Sequence, residues 1–202
     1  MARRAGGRVP LLMRGTAMTT RWLIAGVAVW LLMAGPAEAG MQRLVLRVDG
    51  LACPFCAYGL EKKLLALPGV TSYDADLREG KVFVGLNASA SLPAFERVRD
   101  MVKKAGFTLR SVSLTATGTL SRTAEGWVLA PNDSSRLLLY EIRTGQEPDD
   151  GDRPPPALSE ALTARLTTWE RQRIVVEVTG TLHTHEDRLP AMALEDIHPA
   201  KE

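Results

Sequence analysis

The chain has 202 residues, two of them cysteines, with 46% hydrophobic and 24% charged residues and a formal charge of +2. That balance excludes a disulfide-built scaffold and a disordered polyelectrolyte, and it leaves enough apolar material for one medium or two small domains. Five of the 25 basic residues and one of the 23 acidic ones lie within residues 1–39; residues 40–202 therefore hold 20 against 22, a formal charge of −2, and bulk charge makes no case for nucleic acid.

In chain order, Arg3, Arg4, Arg8, Arg14 and Arg21 precede an uncharged run, WLIAGVAVWLLMAG at residues 22–35, and then Ala37-Glu38-Ala39. A basic front, a short apolar centre and an A-x-A site predict a secretory signal peptide over residues 1–39. Gly40 is then the new N-terminus and the location periplasmic or secreted. The run is shorter than the ~20 apolar residues of a membrane span, so the membrane is met only through this segment before cleavage. About 160 residues remain, in a compartment that permits disulfides. Cys53 and Cys56 still make a poor staple, because closing so short a loop removes little chain entropy from the unfolded state.

RLVLRV at residues 43–48 alternates, with Leu44, Leu46 and Val48 on one face, and predicts a strand. After the cysteine loop, Ala57, Leu60, Leu64 and Leu67 fall at helical spacing until Pro68-Gly69 stops the helix. VTSYDADLREGKVFVGL (70–86) reads as two strands joined at Arg78-Glu79-Gly80-Lys81. SLPAFERVRDMVKKAGF (91–107) reads as a second helix, capped by Ser91, lined by Phe95, Val98, Val102 and Ala105, and ended by Gly106. FTLRSVSL (107–114) supplies a fourth strand. The order β-α-β-β-α-β over residues 40–114 is the split βαβ or ferredoxin-like arrangement, an α+β fold.

Beyond Leu114 the character changes. TATGTL, EGWVLA and RLLLYEI (115–120, 125–130, 136–142) predict three short strands with turns at residues 123–126 and 131–133, and a charged, Pro-rich loop fills residues 144–156. ALSEALTARLTTWERQ (157–172) is amphipathic, with Leu158, Leu162, Leu166 and Trp169 on one side; RIVVEVTGTLHTH and LPAMALEDI read as two more strands. Three strands, a helix and two strands give the order of a small OB-like β-barrel over residues 115–202. The echo of ATGTL (116–120) in VTGTL (178–182) marks two glycine-bent strands. His183 and His185, on one face of a strand beside Glu186 and Asp187, are a candidate secondary site for Cu(II), Ni(II) or Zn(II), against the plainer reading of a polar hairpin tip. Trp127 and Tyr140 suggest stacking, but no basic groove accompanies them. No nucleophile elbow or glycine-rich phosphate loop follows a strand, and Asp149, Asp150 and Asp152 fall in the charged loop. The chain does not read as an enzyme.

The two cysteines carry the chemistry. Pro54 suits the first turn of a helix, which places Cys56 near the helix N-terminus, where the dipole favours thiolate. Both sulfurs can converge on one solvent-open point rimmed by Leu51 and Phe55. Gly50-Leu51-Ala52-Cys53-Pro54-Phe55-Cys56, in the first β–α loop, resembles the G-M-x-C-x-x-C signature of heavy-metal-associated domains. That is the fold of small copper chaperones, of the periplasmic mercury-binding protein and of the amino-terminal modules of metal-pumping ATPases. The resemblance covers residues 42–114, including LPGV (67–70) and AGF (105–107). It implies that Cys53 and Cys56 hold a metal ion and pass it to a metal-transport or metal-requiring protein. Where the family has Met, packed beneath the loop and not a ligand, this chain has Leu51, an apolar replacement that keeps coordination possible. Phe107 falls where members carry Lys, Tyr or Phe near the metal. Independently, two thiolates suit a soft ion that accepts two-coordination, Cu(I) or Hg(II), whereas zinc asks for four ligands. Two other readings stay open. CPFC also occurs in thiol–disulfide oxidoreductases, and the C-terminal barrel alone would make the chain an adaptor.

Overall fold

The computed structural model describes residues 39–142, 156–183 and 189–201. Residues 1–38 of the expected signal peptide, nearly all of the charged loop, and His185, Glu186 and Asp187 lie outside the described residues.

The first strand, β1 (Gly40–Asp49), is followed by α1 (Pro54–Leu65), the hairpin β2 (Val70–Asp76) and β3 (Lys81–Leu86), α2 (Leu92–Lys104) and β4 (Thr108–Arg122). The strands line up β2-β3-β1-β4, all antiparallel, with β1 central. Alternation along β1 sends Leu44, Leu46 and Val48 inward and leaves Arg43 and Arg47 exposed. The inward set joins Val82 and Val84 of β3, Leu60 and Leu64 of α1, and Val98 and Val102 of α2 in one core. This is the expected βαββαβ unit, with both helices on one face of the sheet. Pro54 opens α1. Ser91 stands at the N-cap of α2, but its hydroxyl makes no capping hydrogen bond.

The two strands expected on either side of Leu114 are continuous. β4 is one strand of 15 residues, running through the boundary drawn between residues 114 and 115. Nothing in SVSLTATGTL supplies a turn, and β4 finds partners along its whole length. One edge pairs with β1 over residues 108–117 and then with β5 (Trp127–Asn132) over 119–122; the other pairs with β7 (Val176–His183) over 113–118. The turn expected at residues 131–133 is also displaced, because Pro131 and Asn132 belong to β5 and only two residues separate it from β6 (Ser135–Tyr140). The amphipathic segment forms α3 (Glu160–Arg171), and β8 (Ala191–Pro199) ends the described fold.

Pairing continues β4-β5-β6-β8-β7, with β6 and β8 parallel, and β7 returns to β4, so that five strands close on themselves. The C-terminal region is thus mostly sheet in a barrel-like arrangement. Its inward residues, among them Leu120, Leu129, Leu137, Val178 and Ile197, with Leu166 of α3, belong to the same core as Leu44 and Leu60. Two side-chain amides tie the regions together. Gln42 donates to the Thr117 hydroxyl at 2.7 Å, and Asn132 donates to the Ala90 carbonyl at 2.8 Å. Among the described residues no helix is long and apolar enough to cross a membrane.

Candidate functional site

At the end of β1, Gly50 turns the chain at φ 86°, and the Ala52 N–H donates to the Gly50 carbonyl at 2.9 Å. Leu51 goes inward. It is 3% exposed and packs in the core beneath the loop, so it does not rim the site as expected from sequence. Cys53 takes the N-cap position of α1 in extended backbone, and its carbonyl accepts from the N–H groups of Cys56 and Ala57 at 3.1 and 3.0 Å. Phe55, Cys56 and Tyr58 project outward. Phe107 closes the neighbouring turn after α2, and a Cβ added at Gly50 would meet its ring at 3.7 Å. The surrounding charges are paired, Asp49 with Arg110 and Glu79 with Lys81 at 3.6 Å.

Both cysteines are free thiols, Cys53 half-buried and Cys56 exposed. The Cys53 side chain makes no capping hydrogen bond to α1, but the two thiols act on one another, and unequally. The Cys53 thiol is held below its ordinary value, first by the Cys56 backbone N–H, then by the Cys56 thiol, then by the Phe55 N–H. The Cys56 thiol is raised, first because its S–H donates toward Cys53, then by burial and by the charge on Cys53. Thiolate character therefore sits on Cys53, not on Cys56 as the sequence led us to expect. The physical reason is the cap position: the N-cap side chain faces the free N–H groups of the first turn, while a residue three positions into the helix points past them.

A residue the sequence reading missed fixes the helix entrance. Tyr73 of β2 donates its hydroxyl to the Ala57 carbonyl at 3.2 Å, and burial, ahead of Glu61 and Asp74, raises its phenol above the ordinary value. Its place in the alternation of VTSYDAD, on the same face as Ala75, was the available signal.

The other candidates separate from this site. His183 ends β7 with its ring edge-on to Tyr140, centroids 6.0 Å apart. Among the described residues no three His, Cys, Asp or Glu side chains gather around a common point. Trp127 and Tyr140 are 4% and 2% exposed, which removes them as stacking platforms. Trp169 packs against the core, as helical spacing suggested, with the Arg165 guanidinium 4.9 Å from its ring centre. A cavity of about 180 Å³, walled by Arg122, Trp127, Leu138 and Leu158, falls below the ~300–1,000 Å³ of small-molecule sites.

Comparison with known proteins converges on the cysteine loop. The profile of the heavy-metal-associated domain matches residues 45–108. The copper chaperone CopZ of Staphylococcus epidermidis is 29% identical over 70 residues, spanning 35% of this chain and 100% of the relative. CopZ of Staphylococcus aureus strain JH9 is 31% identical over 67 residues, 33% of this chain and 96% of the relative. A solved CopZ metallochaperone, 27% identical, aligns over 34% of this chain and 98% of its own with a TM-score of 0.30. Through its first βαββαβ unit, the chain belongs to the heavy-metal-associated domain family.

Proposed function

We propose that the chain is an exported carrier of a soft metal ion. Cys53 and Cys56 hold Cu(I), or the equally thiophilic Hg(II), between two sulfurs and release it to a metal-transport or metal-requiring protein, with no reaction catalysed. The observation that carries this reading is the pair of free, adjacent, solvent-reaching thiols at the entrance of α1, one already biased toward thiolate. Two sulfur donors leave an ion open to an incoming thiolate, which is what transfer requires. Support for copper comes from the relatives named as copper chaperones, whose whole length the first unit matches; support for mercury rests on thiolate chemistry alone. Export is inferred from residues 1–39. The closed order β4-β5-β6-β8-β7, with a helix between its third and fourth strands in sequence, supports reading the C-terminal region as OB-like. We assign that region the role of an adaptor that carries the metal unit.

Competition with a chromophoric Cu(I) chelator under reducing conditions tests the reading. One equivalent of Cu(I) is expected on the native protein. Losing a ligand's hydrogen-bond partner alone costs about 10–100-fold in metal affinity, so Cys53→Ser/Cys56→Ser is expected to exceed that loss. Failure of the reduced protein to bind either Cu(I) or Hg(II) would end the proposal. The lowered Cys53 thiol also suits thiol–disulfide exchange; catalytic turnover in an insulin-reduction assay would replace the carrier reading with that one.

A further inference from the structure

Four large hydrophobic side chains stand exposed among the described residues, and three of them, Phe55 at 87%, Tyr58 at 53% and Leu65 at 43%, are on α1. Together with Lys62 they are spaced three, four and three residues apart, which at 100° per residue confines them to an arc of about 80°. Gly59 and Ala66 fall on or beside the same arc and are also exposed; a Cβ added at Gly59 would meet nothing within 4 Å. The result is an apolar ridge about 15 Å long, running from the cysteine loop down the outer side of the helix. The one charge on the arc itself, Lys62, is positive. Lys62, whose Nζ lies 4.7 Å from the centre of the Tyr58 ring, and Lys63 are exposed in the last turn, and the first turn holds no acid. Glu61 is half-buried and near Tyr73, on the β2 side, while Asp49 and Glu79 are neutralised by Arg110 and Lys81.

We propose that this ridge seats on an anionic lipid bilayer. Phe55, Tyr58 and Leu65 enter the boundary between headgroups and acyl chains, and Lys62 and Lys63 meet the headgroup phosphates. Large apolar side chains beside lysines on one helix face are the composition of helices that lie in a membrane interface. The shape decides between classes of partner. A protein would have to offer a groove cut to a convex ridge, whereas a fluid bilayer conforms to it, and the lysines select a negative surface. Phe55 lies between the two cysteines in sequence, so the seated ridge ends at the cysteine loop. Lipid binding needs no metal and stands apart from the carrier reading.

The test is co-sedimentation of residues 40–202, which keep every described strand and helix, with vesicles of equimolar phosphatidylglycerol and phosphatidylcholine, or of phosphatidylcholine alone. Each lysine near an anionic surface contributes a few-fold, so binding roughly tenfold or more tighter to the anionic vesicles is expected, weakening in high salt. Phe55→Ser/Tyr58→Ser/Leu65→Ser should lose about tenfold. Lys62→Glu/Lys63→Glu should abolish the anionic preference while keeping the native circular dichroism spectrum. Tyr58→Ser/Leu65→Ser should lose vesicle binding several-fold at unchanged Cu(I) affinity, which keeps a failure here distinct from a failure of the metal reading. Absence of sedimentation, equal binding to both vesicles, or a triple variant that binds like the native protein would each overturn the proposal and leave the ridge to a protein partner.

Discussion

At the scale of single residues the two cysteines are chemically unequal, and the inequality is measurable. The Cys56 N–H first, then the Cys56 thiol and the Phe55 N–H, lower the Cys53 thiol, so its thiolate forms at lower pH than an ordinary thiol; Cys56, whose S–H donates toward Cys53 and keeps its proton, titrates higher. An ion held by both sulfurs must displace whatever protons they carry. Between the two titrations only Cys56 is protonated, and Cu(I) affinity is expected to rise about tenfold per pH unit. Below the Cys53 titration two protons are displaced, and the slope doubles to about a hundredfold per unit. Affinity measured against a chelator across that range checks this; a slope that never exceeds about tenfold per unit would mean the sulfurs do not share the ion. The spacing C-x-x-C made the pair legible from sequence, but not which sulfur carries the charge. That depends on whether a cysteine is the cap or lies inside the first turn, a matter of a few residues at a helix end. Leu51 was half legible for a similar reason: the family resemblance placed an apolar residue under the loop, while the residues alone suggested a rim.

At the scale of elements, the strands of the first unit could be read because alternation, helical spacing and turn residues agree there. β4 could not. Its alternation passes from FTLRSVSL into TATGTL without a glycine–proline or asparagine break, so no residue marks where the first unit ends. The echoed TG of β4 and β7 had more meaning than its length suggested. Gly118 is opposite Val176 and Gly180 opposite Leu114 in one ladder, and each lets another strand's backbone close in. A Cβ on Gly180 would lie 2.3 Å from the Ala193 carbonyl oxygen, and one on Gly118 2.4 Å from that of Ala130. Gly180→Ala is therefore expected to cost about 1–3 kcal/mol through backbone displacement, lowering Tm by several degrees in a protein of this size. Gly59 gives the opposite sign. It is mid-helix in α1 with open space around its Cα, so Gly59→Ala should stabilise by about 0.4–1 kcal/mol. Thermal melts of the two variants with the same sign of shift would refute this account of the glycines.

At the scale of the whole molecule, the question is whether the metal unit and the barrel are two folding units or one. Relatives of about the length of the first unit exist as whole proteins, since 67 to 70 residues of this chain cover 96% to 100% of them. Here that unit has been built into something larger by lengthening one strand. Residues 113–117 of β4 pair with β1 on one edge and β7 on the other. Leu114 and Ala116 lie in a core that runs from Leu46 to Leu166. Asn132 of the barrel also holds the Ala90 carbonyl in the loop that leads into α2. A strand shared in this way couples the units, because unfolding the barrel strips one edge of β4 and exposes core that the first unit also uses. Residues 40–202 are thus expected to unfold in one transition, with the calorimetric and van't Hoff enthalpies equal. A fragment of residues 115–202 has lost the β4 residues opposite Gly180 and Thr181, cannot close its ring fully, and is expected to melt without cooperativity. Residues 40–114 keep β1 paired with β3 and most of its ladder with β4 but lose Thr115, Ala116 and Thr117, the partners of Arg43, Met41 and Gly40. That fragment should fold, bind Cu(I), and melt below the intact protein. Two separated transitions in residues 40–202, with the barrel lost first and the cysteine unit standing alone, would show that β4 is merely a tether between independent domains.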